Sequence, residues 1–134
     1  MKTLIMCLCL ALLSVGAYAQ KVAVLKSTYN ATVEDTVTNT TPKTQQVGVG
    51  QYWPAASIKV DLTRISGTLA GMLRTFGSFD NVNFVKTDSA TVTNAATYKR
   101  SLDISPTKYN FYRVTYTPTG TMSTKMRSQI EVKK

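Results

Sequence analysis

The 134-residue sequence has no histidine and only two cysteines, Cys7 and Cys9. Both cysteines fall in the first 19 residues, so from Gln20 onward there is neither thiol nor imidazole. That removes disulfides, thiol nucleophiles and thiolate or imidazole zinc sites from residues 20–134. It also removes the usual base of a nucleophilic triad. There is no Gly-rich phosphate loop. Acids are scarce, 7 against 16 lysines and arginines, and the formal net charge is +9. A glycosidase needs two placed carboxylates. The acids here, Glu34, Asp35, Asp61, Asp80, Asp88, Asp103 and Glu131, mostly sit at expected turns or on outward strand faces. The composition therefore argues against an enzyme and implies no cofactor.

One long apolar run is present, at the start. Lys2 precedes Leu4 to Val15, broken only by Ser14, and Ala17-Tyr18-Ala19 follows. That is the pattern of a secretory signal peptide, residues 1–19, cleaved before Gln20. The run is shorter than the roughly 20 residues of a membrane-spanning helix, so no span is expected after cleavage. Cleavage would leave 115 residues, one domain's worth, with net charge falling from +9 to +8 as Lys2 is lost. The protein is thus expected to be exported, extracellular or periplasmic, or on a virion surface. The positive charges are spread along the chain, without the clustered stripe and interleaved aromatics of a nucleic-acid binder. Nucleic acid is not an expected partner.

The remaining pattern has period two, is rich in Thr, Val, Ile and Tyr, and is cut by Gly, Pro and Asn. It predicts an all-β fold: an antiparallel β-sandwich, jelly-roll or Ig-like, of about seven to eight short strands. Residues 51–134 form the sandwich proper. Residues 20–50 read as an N-terminal arm, edge strands or a mobile linker, with a short strand over 22–25 and a loop over 44–50. Strands are expected over 57–63, 68–76, 83–86, 97–104 and 109–117, and from Met122 onward. Residues 90–93 fit either a strand or a connecting turn. Gly67 and Gly71 suit a bulge or close backbone crossing. Asp80-Asn81-Val82-Asn83 suits a turn closed on its own backbone better than a calcium loop.

Alternation also sorts the aromatics. Tyr112 and Tyr116 share a face with Val114 and read as core. Tyr109 and Phe111 fall on the other face with Arg113, a candidate contact patch for glycan or protein. The last strand turns Lys125, Arg127 and Lys133, with Glu131 among them, toward water, where they also discourage stray edge pairing. Tyr109, Phe111, Arg113, Lys125 and Arg127 are the candidate contact surface.

Several short stretches carry a family resemblance. They are Ile58-Lys59-Val60-Asp61-Leu62, Ile65-Ser66-Gly67-Thr68-Leu69-Ala70-Gly71, Gly77-Ser78-Phe79-Asp80-Asn81-Val82-Asn83-Phe84, Ser105-Pro106, Tyr112-Arg113-Val114 and Gly120-Thr121-Met122. In this order, over about residues 57–132, the chain resembles small β-sandwich surface and virion accessory proteins of Bacteroidota and their phages. The resemblance implies a non-enzymatic structural protein that assembles on a particle or surface as capsid decoration, head fibre or tail component. Its partners would be copies of itself or neighbouring subunits, joined by strand addition. The alternative is a secreted binding module for glycans or an anionic surface.

Overall fold

The computed structural model describes residues 20–28, 30–50 and 52–133; the expected signal peptide lies outside them. Ten strands follow one another: β1 (Gln20–Val24), β2 (Lys26–Ser27), β3 (Asp35–Thr38), β4 (Lys43–Gly48), β5 (Ala55–Gly67), β6 (Gly71–Ser78), β7 (Val85–Val92), β8 (Thr97–Ile104), β9 (Phe111–Pro118) and β10 (Met122–Lys133). All pairings are antiparallel. Sheet A has the order β1-β10-β5-β8, with β3 sharing the β10 edge with β1. Sheet B has the order β2-β4-β9-β6-β7. The last eight strands thus run β3-β10-β5-β8 and β4-β9-β6-β7, the two interleaved Greek keys of a jelly roll. The all-β antiparallel sandwich is the fold, in its jelly-roll form, with β1 and β2 added at the edges.

Period-two alternation builds the core. In β5, Ala56, Ile58, Val60 and Leu62 point inward. In β10, Met122, Thr124, Met126, Ser128, Ile130 and Val132 do the same. From sheet B come Leu73, Tyr112, Val114 and Tyr116. Each fully buried Leu, Ile or Val adds roughly 1.5–3 kcal/mol of transfer free energy. The Tyr116 hydroxyl, buried with its ring, donates to the Ala70 carbonyl at 2.8 Å, and burial pushes its pKa up to about 12.

Two glycines sit where backbones cross. A Cβ on Gly71 (φ 147°) would strike the Thr117 carbonyl and lie 2.8 Å from Pro118 Cα. On Gly67 (φ 70°) it would meet Thr121 and lie 2.9 Å from Met122 Cα. The close crossing expected at both glycines is present.

Three segments differ from expectation. Residues 44–50, expected as a loop, are mostly β4, an interior strand of sheet B. Their polar composition hid them, because Gln45 is buried by hydrogen bonds rather than by apolarity: its Nε2 donates to the Met126 carbonyl at 3.1 Å and to Asp35 Oδ2 at 3.3 Å. Residues 85–92 form one strand, not a short strand plus a separate piece at 90–93, and most of its side chains are exposed, which erases the alternation. The strand expected from Thr68 starts at Gly71, because residues 68–70 make the crossing turn that accepts a bond from Thr119 N.

Candidate functional site

The sandwich has two outer faces and two loop ends, and the five candidate residues are divided among them. Phe111 and Arg113 alternate outward from β9 onto the outer face of sheet B. Phe111 lies over Gly48, where a Cβ would come within 3.2 Å of its ring. Arg113 is half-buried. Its Cζ stands 3.6 Å from the centroid of the Phe84 ring, and one terminal nitrogen donates to Gln46 Oε1 at 3.1 Å. Its Nε is buried with no hydrogen-bond partner in the protein. Desolvation pulls the guanidinium below its ordinary pKa, yet far too little for an arginine to lose its charge at neutral pH.

Tyr109 does not share that face. It precedes β9, and its ring occupies the space where a side chain on Gly77 would go, on the core side of sheet B. It packs tilted against Phe79 at 4.9 Å and edge-on to Tyr112 at 6.2 Å. The expected Tyr109–Phe111–Arg113 patch is therefore split. Residues 109–110 belong to a loop ahead of β9, where strand alternation does not apply.

Lys125 and Arg127 point outward from sheet A, on the opposite side of the molecule from Phe111 and Arg113. They do not join the aromatic residues in one surface. Lys125 pairs with Glu34 at 3.1 Å, and Arg127 stands opposite Asp61 in the ladder. Nearby, Lys59 meets Glu131 at 2.8 Å and Lys133 approaches the same carboxylate at 3.7 Å. The hydrogen bond from Lys59 holds the Glu131 carboxyl below its ordinary pKa and raises that of Lys59. The face of the last strand is thus a chequer of both signs.

One loop end presents a group that alternation could not reveal. Here the β4–β5, β6–β7 and β8–β9 loops meet at Asn110. Its carbonyl accepts from Val49 N at 2.8 Å and Gly50 N at 3.4 Å, its amide donates to the Ser78 carbonyl at 3.1 Å, and its side chain donates to the Phe79 carbonyl at 3.4 Å. Asp80 closes the β6–β7 turn as expected. It accepts from the Ser78 hydroxyl, Val82 N, Asn83 N and Asn83 Nδ2 at 2.6–2.9 Å. These donors, the Asn83 amide first, hold its carboxyl well below the usual range. Both oxygens are occupied by N–H and O–H groups that a cation would have to displace. On this tied framework Tyr52, Phe79, Val82 and Val85 are 58–77% exposed. Among the described residues, no cluster of three or more His, Cys, Asp or Glu could hold a metal ion, and no helix is long and apolar enough to cross a membrane.

No protein-family model matches the chain, and no curated protein matches its sequence. Solved structures share its fold. The carbohydrate-binding module CpGH89CBM32-5 of Clostridium perfringens, solved with GalNAc-β-1,3-galactose, aligns with TM-score 0.53 and 12% identity over 84% of this chain and 94% of that one. The PBSX exported protein XepA aligns with TM-score 0.56 and 11% identity over 84% of this chain. The enzymatically active domain of bacteriophage CBA120 tailspike protein 4 aligns with TM-score 0.56 and 7% identity over 87% of this chain. The aligned part is 36% of XepA and 19% of the tailspike chain. At these identities the likeness is one of fold.

Proposed function

We propose that this chain is an exported, non-enzymatic structural protein that assembles on a particle or surface, as a virion accessory component of the decoration, fibre or tail kind in Bacteroidota or their phages. The observation that carries this reading is the Asn110-tied loop end. Its exposed Tyr52, Phe79 and Val82 stand on loops tied together by hydrogen bonds, and exposed Val85 opens β7 beside them. Exposed apolar side chains on an ordered framework make a contact without the cost of ordering loops. The absence of histidine and, after residue 19, of cysteine agrees with a role in contact rather than catalysis. A fold shared with a PBSX exported protein agrees with export.

The test is peptide mass spectrometry across a density gradient of the producing culture. A chain beginning at Gln20 that co-sediments with particles is the expected result. A free small protein at the top of the gradient would overturn the assembly reading. A second reading, a secreted binding module for glycans, is favoured by a separate observation, the outer face of sheet B.

A further inference from the structure

We propose that the outer face of sheet B binds an anionic polysaccharide, its carboxylate or sulfate groups spaced along a row of cations that crosses the strands. The ladder registers define that row. Lys26 pairs with Gln46, Gln46 with Arg113, Arg113 with Phe76, and Phe76 with Lys86. Read across the five strands it is cation, amide, cation, phenyl ring, cation. Neighbouring strands lie about 4.8 Å apart, so successive cations stand about 10 Å apart, close to the length of a disaccharide. The adjacent row, Thr44, Thr115, Arg74 and Ser89, adds a fourth cation. Neither row contains a carboxylate.

Each position has a part to play with such a ligand. Arg113 is half-buried and positioned by the Phe84 ring and by one bond from a terminal nitrogen to Gln46, which leaves donors on its terminal nitrogens. A fixed guanidinium with unspent donors is suited to a carboxylate or sulfate. Gln46 offers an amide to sugar hydroxyls, and half-buried Phe76 offers apolar surface to the C–H face of a ring. A groove of about 400 Å³ runs beside the row, lined among others by Lys26, Gln46, Gly48, Asn81 and Phe111. A groove of similar size on sheet A includes Lys59, Lys99 and Arg100, but it carries its own carboxylate, Asp61. Nucleic acid fits the row less well, because bases bind by stacking on open aromatic faces, and one face of Phe84 is covered by Arg113.

This inference gives the glycan-binding reading a site and a ligand class, and it does not rest on assembly at the loop end. The test is affinity electrophoresis of the full chain in gels containing polygalacturonate, dextran sulfate or neutral dextran, with single-stranded DNA as a fourth arm. The two charged polymers separate carboxylate from sulfate recognition. The wild type should be retarded by at least one of them and not by dextran. Lys26→Ala with Lys86→Ala, both exposed positions, should weaken that retention about tenfold. Lys99→Ala with Lys125→Ala removes the same charge from sheet A and should leave retention unchanged. Equal weakening by the two pairs would reduce the effect to general charge attraction and overturn the proposal. No retention by either charged polymer, or stronger retention by DNA, would overturn it as well. So would loss of self-association in the sheet B pair, which would make this face a contact between copies.

Discussion

Gly77→Ala should destabilise the protein through one side chain, Tyr109. Gly77 has no positive φ, so its backbone accepts alanine. Its Cβ direction, however, runs into the Tyr109 ring, with Cε2 and Cγ of that ring each 2.5 Å away and Cδ2 nearer still. The ring is held between Phe79 and Tyr112, so it cannot swing aside freely. Overfilling a packed site costs about 1–3 kcal/mol, which for a domain of this size lowers Tm by about 4–12 °C. In a Tyr109→Ala background the obstruction is gone. There Gly77→Ala should become neutral or stabilise by up to about 1 kcal/mol, because glycine within a strand has more conformational entropy to lose than alanine. Denaturant unfolding of the wild type, both single variants and the double variant closes the cycle. Equal costs for Gly77→Ala in the two backgrounds would refute the placement of Tyr109 on the core side of sheet B.

Two further predictions use the same measurements. Tyr116 is held neutral by burial, with its folded pKa near 12 against about 10 in the unfolded chain. The unfolded state therefore loses this proton first, and stability should fall between pH 10 and pH 12. Tyr116→Phe should flatten that limb, while its lost bond to Ala70 costs about 1 kcal/mol at neutral pH. At the other extreme, the depressed pKa of Asp80 means its turn contribution is present above the unfolded carboxyl pKa and lost as pH drops through the folded one. Asp80→Ala should weaken the acid dependence of stability. Asn110→Ala removes only the side-chain bond to the Phe79 carbonyl and keeps the backbone bonds to Val49, Gly50 and Ser78, so by denaturant unfolding it should cost no more than about 1 kcal/mol; a markedly larger loss would show that the side chain, and not the backbone, ties the loops together.

Much of the fold was legible wherever side chains alternate between core and water. Ile58, Val60 and Leu62 against Lys59 and Asp61 placed β5, and the same logic placed β8, β9 and the terminal strand. The Asp80 turn was legible because its bonds are local. Alternation is silent where a strand is wet on both faces, as in β7, or where a polar residue is buried by pairing, as with Gln45 in β4. The site was legible in part. Phe111 and Arg113 do face outward together, but alternation says nothing about which sheet a strand joins, so it could not separate them from Lys125 and Arg127. Phe84 and Gln46, which fix Arg113, come from a loop and a strand 29 and 67 residues away. Their roles depend on register, which a sequence without fixed pairing does not display.

The most direct test of the proposed loop-end contact is one particle gradient run on two variants. The first carries Phe79→Asp with Val82→Asp at the loop end, where both side chains are exposed. The second carries Lys26→Ala with Lys86→Ala on sheet B. The loop-end variant should leave the particle fractions and appear as free protein, while the sheet B variant stays with the particles. Release of the sheet B variant with retention of the loop-end variant would contradict assembly through the loop end.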